Sequence, residues 1–343
     1  MWARGSGYAH AVAEDKKTDG GGDSTRTVVV AVVANLAIAV AKTVAALMTG
    51  SASMWAEAAH STADTGNEVL LFVGLRRSTK EPDRRHPFGY GQERYFWTFL
   101  AALGIFLVGG TLSIGEGIRT LLLPEPLESL WVGIGVLVVS FGFESYSWHT
   151  ARKQLRAESR ERNRSMVEHL RRASDPSATT VFLEDTAALI GLVVALAALV
   201  LHATTGWAGW DSVGSICIGL LLIVVAFLLA RRSKTLLLDE SAPPDVVDPI
   251  RAHVTGADWV GELRELHAVY VGPSSLLVNV WVTPAAAHGD GPAAELVRQV
   301  DELRSSLLQN PAITQVSVTV DGGRSVSPVR PVPTGRGAVV RGQ

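Results

Sequence analysis

Apolar residues along the chain gather into windows long enough to cross a bilayer. They lie at 27–49, 53–75, 96–122, 129–149, 177–203 and 210–231, and each approaches the roughly 20 apolar residues that a hydrocarbon core of about 30 Å asks of a helix. Only Gly50, Ser51 and Ala52 separate the first two windows, which suits a tight helical hairpin. From about residue 236 the pattern changes. Val246 to Val254 has helical spacing behind Pro244, and Leu263 to Val271 and Leu276 to Val282 alternate as strands around a turn at 272–275. Ala294 to Leu308 is helical again, and Ile313 to Val320 alternates. The expected architecture is an α-helical membrane protein: six transmembrane helices over 27–235, then a small cytoplasmic α+β domain, αββαβ and ferredoxin-like, over 236–322. Segments 1–26 and 323–343 lack periodicity and read as disordered tails.

Composition agrees with a membrane setting. Of 343 residues 47% are hydrophobic and 19% charged, against a usual charged share of about 25%. Cys217 is the single cysteine, which excludes a disulfide-stapled scaffold. The net charge is −2, so the broad basic field of a nucleic-acid binder is absent and no such partner is expected. Residues 1–26 lack the apolar centre of a signal peptide.

Basic residues suggest the orientation. Arg76, Arg77, Lys80, Arg84, Arg85 and Arg94 follow the second window; Arg152, Lys153, Arg156, Arg160, Arg162, Arg164, Arg171 and Arg172 follow the fourth; Arg231, Arg232 and Lys234 follow the sixth. With six spans all three groups share one side, which the positive-inside rule makes cytoplasmic. Both termini are therefore expected in the cytoplasm, with the plasma membrane as the location.

The chemistry sits inside the second window. Glu57, His60, Asp64, Asn67 and Glu68 recur every three or four residues and form one stripe on a helix otherwise built of Ala, Val, Leu and Phe. An Asp at mid-membrane costs about 2.5–3.5 kcal/mol on insertion scales, so it needs a partner. His60 and Asp64, one turn apart, can aim a nitrogen and a carboxylate oxygen at one point, a donor pair suited to Zn²⁺ or a similar divalent ion. Further ligands must come from another helix, and Glu184 and Asp185 in the fifth window are the candidates. Adjacent helical residues point about 100° apart. One of the two can ligate while the other faces a cavity, a loop or a neighbouring helix.

Other buried polar residues are open to several readings. Asn35 and Lys42 in the first window, Glu116 in the third and Glu144 in the fourth can line a water path, hold a proton or pair with one another, and Lys42 can snorkel. Cys217 reads as a small apolar filler. Asp83 and His86 in the connecting loop make at best a weak second cation site. His253, His267 and His288 show no ligand spacing and read as surface or packing residues. A P-loop, a H-E-x-x-H helix, a G-x-S-x-G elbow and a dinucleotide fingerprint are missing, so neither ATP-driven pumping nor an enzyme is expected.

Two segments carry a family resemblance: Ser51-Ala-Ser-Met-Trp-Ala-Glu-Ala-Ala-His60-Ser-Thr-Ala-Asp64-Thr-Gly-Asn67 and His86-Pro-Phe-Gly-Tyr-Gly-Gln-Glu-Arg-Tyr-Phe-Trp97. Over about 28–321 the chain resembles the cation diffusion facilitator family of divalent-metal transporters, and within it the branch of the mitochondrial-type zinc transporter homologue. The resemblance implies a homodimer, metal-for-proton exchange and a four-ligand site between the second and fifth spans. The family's second-span pair falls on His60 and Asp64, and its fifth-span pair on Val181 and Asp185. Val181 cannot ligate, which leaves Glu184, Asn67 or water for the fourth place. An accessory loop site would fall on Asp83, His86 and Tyr90, a phenol where the last imidazole belongs, so none is expected. The C-terminal domain, poor in ligands on its strands, is expected to serve dimerisation.

The function expected is secondary transport of a divalent cation, zinc first, out of the cytoplasm in exchange for protons, with the metal as cargo and no resident cofactor. A transport-inactive scaffold or regulator with the same architecture is the alternative, and Val181 is the residue that raises it. A membrane zinc hydrolase would need an open metal position and a general base.

Overall fold

A computed structural model describes residues 23–124, 128–161, 165–172, 177–207, 209–273, 275–285 and 293–321. Most of both expected tails, with Arg162, Arg164 and His288, lies outside these residues. Helix α1 (Asp23–Thr49) starts inside the segment expected to be a tail. It ends at Gly50, whose φ of 65° is the left-handed conformation that glycine adopts without strain. Ser51 then caps α2 (Ala52–Ser78), its hydroxyl accepting the amide of Met54 at 3.1 Å. A two-residue link thus reverses the chain, as the short gap between the apolar windows predicts.

The third apolar window folds as α3 (Glu93–Gly104), a π-helical segment (Ile105–Thr111) and α4 (Leu112–Leu122). A π turn loosens the carbonyl ladder, and here Ser113 donates its hydroxyl to the carbonyl of Gly109 at 2.5 Å while Thr111 does the same to Leu107. Then come α5 (Leu130–Glu161), the short α6 (Met166–Arg172), α7 (Ser177–Thr205) and α8 (Gly209–Leu237). Helix α2 is central: α1, α3, α4, α7 and α8 all pack against it, and α5 packs against α1 and α7. A core of Ala45, Ala46, Met54, Ala56, Ile105, Leu137, Leu192, Leu199, Ile218 and Leu222 ties the bundle together.

Four helical stretches among the described residues are long and apolar enough to cross a membrane, Glu93–Leu122, Leu130–Arg160, Thr179–Thr205 and Gly209–Leu237. That is fewer than the six spans expected. Helix α1 adds a further apolar stretch at Asn35–Thr49, and α2 carries the polar stripe together with Arg76 and Arg77 in its last turn, which dilutes its hydrophobicity.

Helix α8 lies very close to the α3–α4 stretch because glycines face one another. A Cβ on Gly219 would stand 2.6 Å from Ile114 Cγ1 and 2.8 Å from the carbonyl oxygen of Gly110, and one on Gly117 would stand 2.8 Å from the carbonyl oxygen of Ser212. Small residues of this kind let membrane helices gain backbone-to-backbone dispersion contact. Gly219→Val therefore forces the helices apart. We expect a cost of about 1–3 kcal/mol, seen as a lower Tm and a smaller monodisperse fraction of the detergent-purified protein; unchanged values would show that the contact can give.

The C-terminal part folds as expected in the order αββαβ: α9 (Pro244–Thr255), β1 (Val260–Gly272), β2 (Ser275–Pro284), α10 (Ala293–Leu307) and β3 (Ile313–Val320). Pro244 occupies the first turn of α9, where its missing N–H costs nothing. Strand β2 is central, antiparallel to β1 and parallel to β3. Its alternate residues Leu276, Val278, Val280 and Val282 are buried with Ile250, Val254, Leu303 and Leu307 of the helices. The loop after α2 docks on this unit. Gly91 is so close to it that a Cβ would lie 2.5 Å from the carbonyl oxygen of Val271, and Gln92 donates to Asp239 at 3.0 Å.

Candidate metal-transport site

The stripe of α2 faces inward. Glu57, His60 and Asn67 are buried, and the Asp64 side chain is 16% exposed. His60 Nδ1 stands 3.4 Å from Asp64 Oδ1, so the pair singled out by its one-turn spacing does converge. Among the described residues neither ring nitrogen of His60 has a hydrogen bond, and neither do Asp64 Oδ1, Asn67 Oδ1 or Glu68 Oε2. Buried polar atoms are normally satisfied, and a cluster left open in this way is equipped to receive a ligand from outside the chain.

Helix α7 brings its two acids to different neighbours. Glu184 is buried and turns to α2, where both its oxygens accept from the Asn67 amide, Oε2 at 2.5 Å. Asp185 turns to α5 and accepts the hydroxyl of Ser147 at 2.7 Å. The residue that meets α2 is thus Glu184, and Asn67 holds it. Val181, one turn earlier, is half-buried. Asp64 lies within electrostatic reach of Glu184, Glu144, Lys42 and Asp185. No three His, Cys, Asp or Glu side chains among the described residues are gathered tightly enough to hold a single ion. Joining Asp185 or Glu184 to His60 and Asp64 requires their release from Ser147 and Asn67.

Several residues left open by the sequence have definite places. Asn35 donates to Glu68 at 2.6 Å, tying α1 to α2. Lys42 does not snorkel; it is fully buried and donates to Glu57 at 2.9 Å. Glu116 pairs with Arg119 on α4 at 2.7 Å, and Cys217 is on the exposed face of α8 rather than filling the core. His253 packs against Ser306 at 2.7 Å, and His267 stands exposed with its ring edge-on to Trp281.

In the loop after α2, Asp83 is fully engaged without a metal. It accepts the backbone amides of Arg85 and His86, each at 2.8 Å, and the Tyr90 hydroxyl at 2.7 Å, while Lys80 donates to Tyr90 at 3.1 Å. The Tyr90 hydrogen bond, then the two amides and Lys80, hold the Asp83 carboxyl well below the usual carboxylate range, and the same phenol raises the Lys80 ammonium.

Asp211, in the first turn of α8, was not singled out by the sequence. It is buried and accepts the Ser51 hydroxyl at 2.7 Å, the Ala52 amide at 2.5 Å, the Ser53 amide at 3.2 Å and the Ser53 hydroxyl. It fastens the start of α2, a helix N-terminus that favours negative charge, to the start of α8. The only sequence signal is an acid at the very edge of an apolar window, which interfacial residues share.

The described residues thus form an apolar helical bundle that buries an imidazole–carboxylate pair suited to a cation, joined to a small αββαβ unit, the architecture of a membrane protein with a cation site. Comparison with known proteins gives the family: residues 28–238 match the cation efflux transmembrane domain, and the chain belongs to the cation efflux, or cation diffusion facilitator, family. It is 34% identical over 247 residues to the human "Proton-coupled zinc antiporter SLC30A9, mitochondrial", covering 72% of this chain and 44% of that one. It is 31% identical over 220 residues to "Metal tolerance protein C4" of Arabidopsis thaliana, covering 64% and 48%. To "Manganese efflux system protein MneP" of Bacillus subtilis it is 24% identical over 260 residues, covering 74% and 82%. The chain thus spans less than half the length of the vertebrate and plant relatives. The expected location in the plasma membrane does not stand: the vertebrate relatives are named as mitochondrial proteins.

Proposed function

We propose that this protein is a secondary transporter that carries a divalent cation, zinc first, across an internal membrane in exchange for protons, away from the side that bears the αββαβ unit. The observation that carries this reading is the buried His60 imidazole, 3.4 Å from Asp64 Oδ1, with no hydrogen bond to either ring nitrogen or to that oxygen among the described residues. A cation seated there takes a neutral nitrogen and an ionised oxygen, and binding expels whatever protons those groups held. Asp185 and Glu184 are the remaining ligands, reached when α7 and its neighbours shift. The names of the relatives support zinc coupled to protons, and the MneP name keeps manganese in the panel.

The reading takes the chain to cross the membrane six times over 27–235, with α1 and the polar α2 among the crossings. The unit at 236–322 then pairs two copies into a homodimer. The test is transport by purified protein in vesicles that enclose a pH-sensitive dye, with Zn²⁺, Mn²⁺, Co²⁺, Ni²⁺ and Fe²⁺ supplied in turn. Metal uptake accompanied by opposite proton movement, largest for zinc, is expected. Should none of the five metals drive proton flux, the scaffold alternative raised by Val181 takes its place.

A further inference from the structure

Lys42 has no part in the ligand set, yet its ammonium is buried against Glu57, on the stripe of α2 that carries that set. It donates to Glu57 Oε2 at 2.9 Å, both side chains being 0% exposed. Stability does not account for the pair, since a buried ion pair is seldom more stabilising than apolar residues of the same volume. Helices α1 and α2 are already joined by the turn at Gly50 and by the shared core of Ala45, Ala46, Met54 and Ala56. The charge of Lys42 reaches Glu144, Asp64 and His60 as well as Glu57, and Asp64 is in turn within reach of Glu184 and Asp185. Glu57 lies one helical turn from His60 on the same face. Its second oxygen has no hydrogen bond among the described residues and faces α7, where a Cβ on Gly191 would come within 2.5 Å of it.

We propose that Lys42 is a resident counter-cation of the transport path: its ammonium limits how tightly His60 and Asp64 can hold a divalent ion, and so lets the ion leave. This rests on the transporter reading. A pathway conducts only when its site binds well enough to load and weakly enough to empty. With Asp64, Glu184 and Asp185 all able to turn toward it, the path would otherwise hold a dication too firmly. Repulsion between a fixed ammonium and a dication is strong where water is excluded. Glu57 offsets part of that charge, so the two partners act on the ion with opposite sign.

The opposition of sign is testable with zinc alone, by calorimetric binding to the full chain in detergent and by uptake into vesicles. Lys42→Met is expected to bind zinc about tenfold more tightly and to turn over more slowly, whereas Glu57→Gln is expected to bind it about tenfold more weakly. The double variant should return close to the unsubstituted affinity. The step from Glu57→Gln to the double variant thus reads Lys42 by itself even where Lys42→Met does not fold. If both single variants weaken binding, as a purely structural pair requires, or if neither changes it, the proposal is overturned while the transporter reading stands. If the unsubstituted chain neither binds nor moves any metal, both fall.

Discussion

Asp64→Ala and His60→Ala each reduce zinc uptake into vesicles by at least about 100-fold while leaving the Tm of the purified protein within a few degrees. The transport half of this expectation follows from ligand count. Loss of an outer-shell partner of a metal ligand already costs about 10- to 100-fold, and removing a ligand costs more. The stability half follows from hydrogen bonding. Among the described residues neither ring nitrogen of His60 nor Asp64 Oδ1 has a hydrogen bond, so truncating either breaks only their mutual 3.4 Å contact and removes a desolvated group that folding has to bury. Radioactive zinc uptake and a thermal-shift curve on the same preparation separate the two halves. Full uptake in both variants would reject this pair as the site, and a collapsed Tm would show that the pair holds the bundle together.

For Asp211→Ala the expected result is the reverse: the Tm falls by about 10 °C, and zinc affinity per folded molecule changes little. Asp211 is as deeply buried as His60, but its oxygens take the Ser51 and Ser53 hydroxyls and the Ala52 and Ser53 amides. Truncation leaves those donors unsatisfied at a helix N-terminus packed inside the bundle. The cost of an uncompensated buried polar cluster is about 3–5 kcal/mol, and in a chain of this size each kcal/mol shifts Tm by about 2–4 °C. Thermal denaturation in detergent measures it. An unaltered Tm would mean that water reaches the two helix starts and replaces the carboxylate.

These two acids show how far a linear reading goes. His60 and Asp64 were legible because their spacing, one helical turn inside an apolar window, gives them a common direction on any helix. Asp211 was not. Its partners are about 160 positions earlier in the chain, and nothing in the sequence around it shows that the start of α8 meets the start of α2. The acids of α7 fall between these cases. Their presence in an apolar window flagged them, but which one faces α2 depends on the rotation of α7, and that is fixed by packing against α5 and α8. The rotation turns Glu184 to Asn67 and Asp185 to Ser147. Lys42 is the same lesson. Snorkelling and pairing were both open from sequence, and the nearness of Glu57 across the hairpin chose pairing.

The segment Phe88-Gly-Tyr-Gly-Gln92 was recognisable as a family signature without its physical role being readable. In the fold, Gly91 lets the loop press on the β1–β2 hairpin, and Tyr90 completes the hydrogen bonding of Asp83. The count of membrane crossings shows the opposite limit: α2 escapes a test of hydrophobicity because the residues that give it chemistry make it polar.

The chain by itself determined the helical windows, the αββαβ order and the polar stripe of α2, because periodicity and the cost of burying charge act locally on neighbouring residues. Tertiary structure alone decided which acid meets which helix, where Lys42 discharges its cost, and that Asp211 is a fastener, because those outcomes depend on the distance and rotation between helices far apart in the chain.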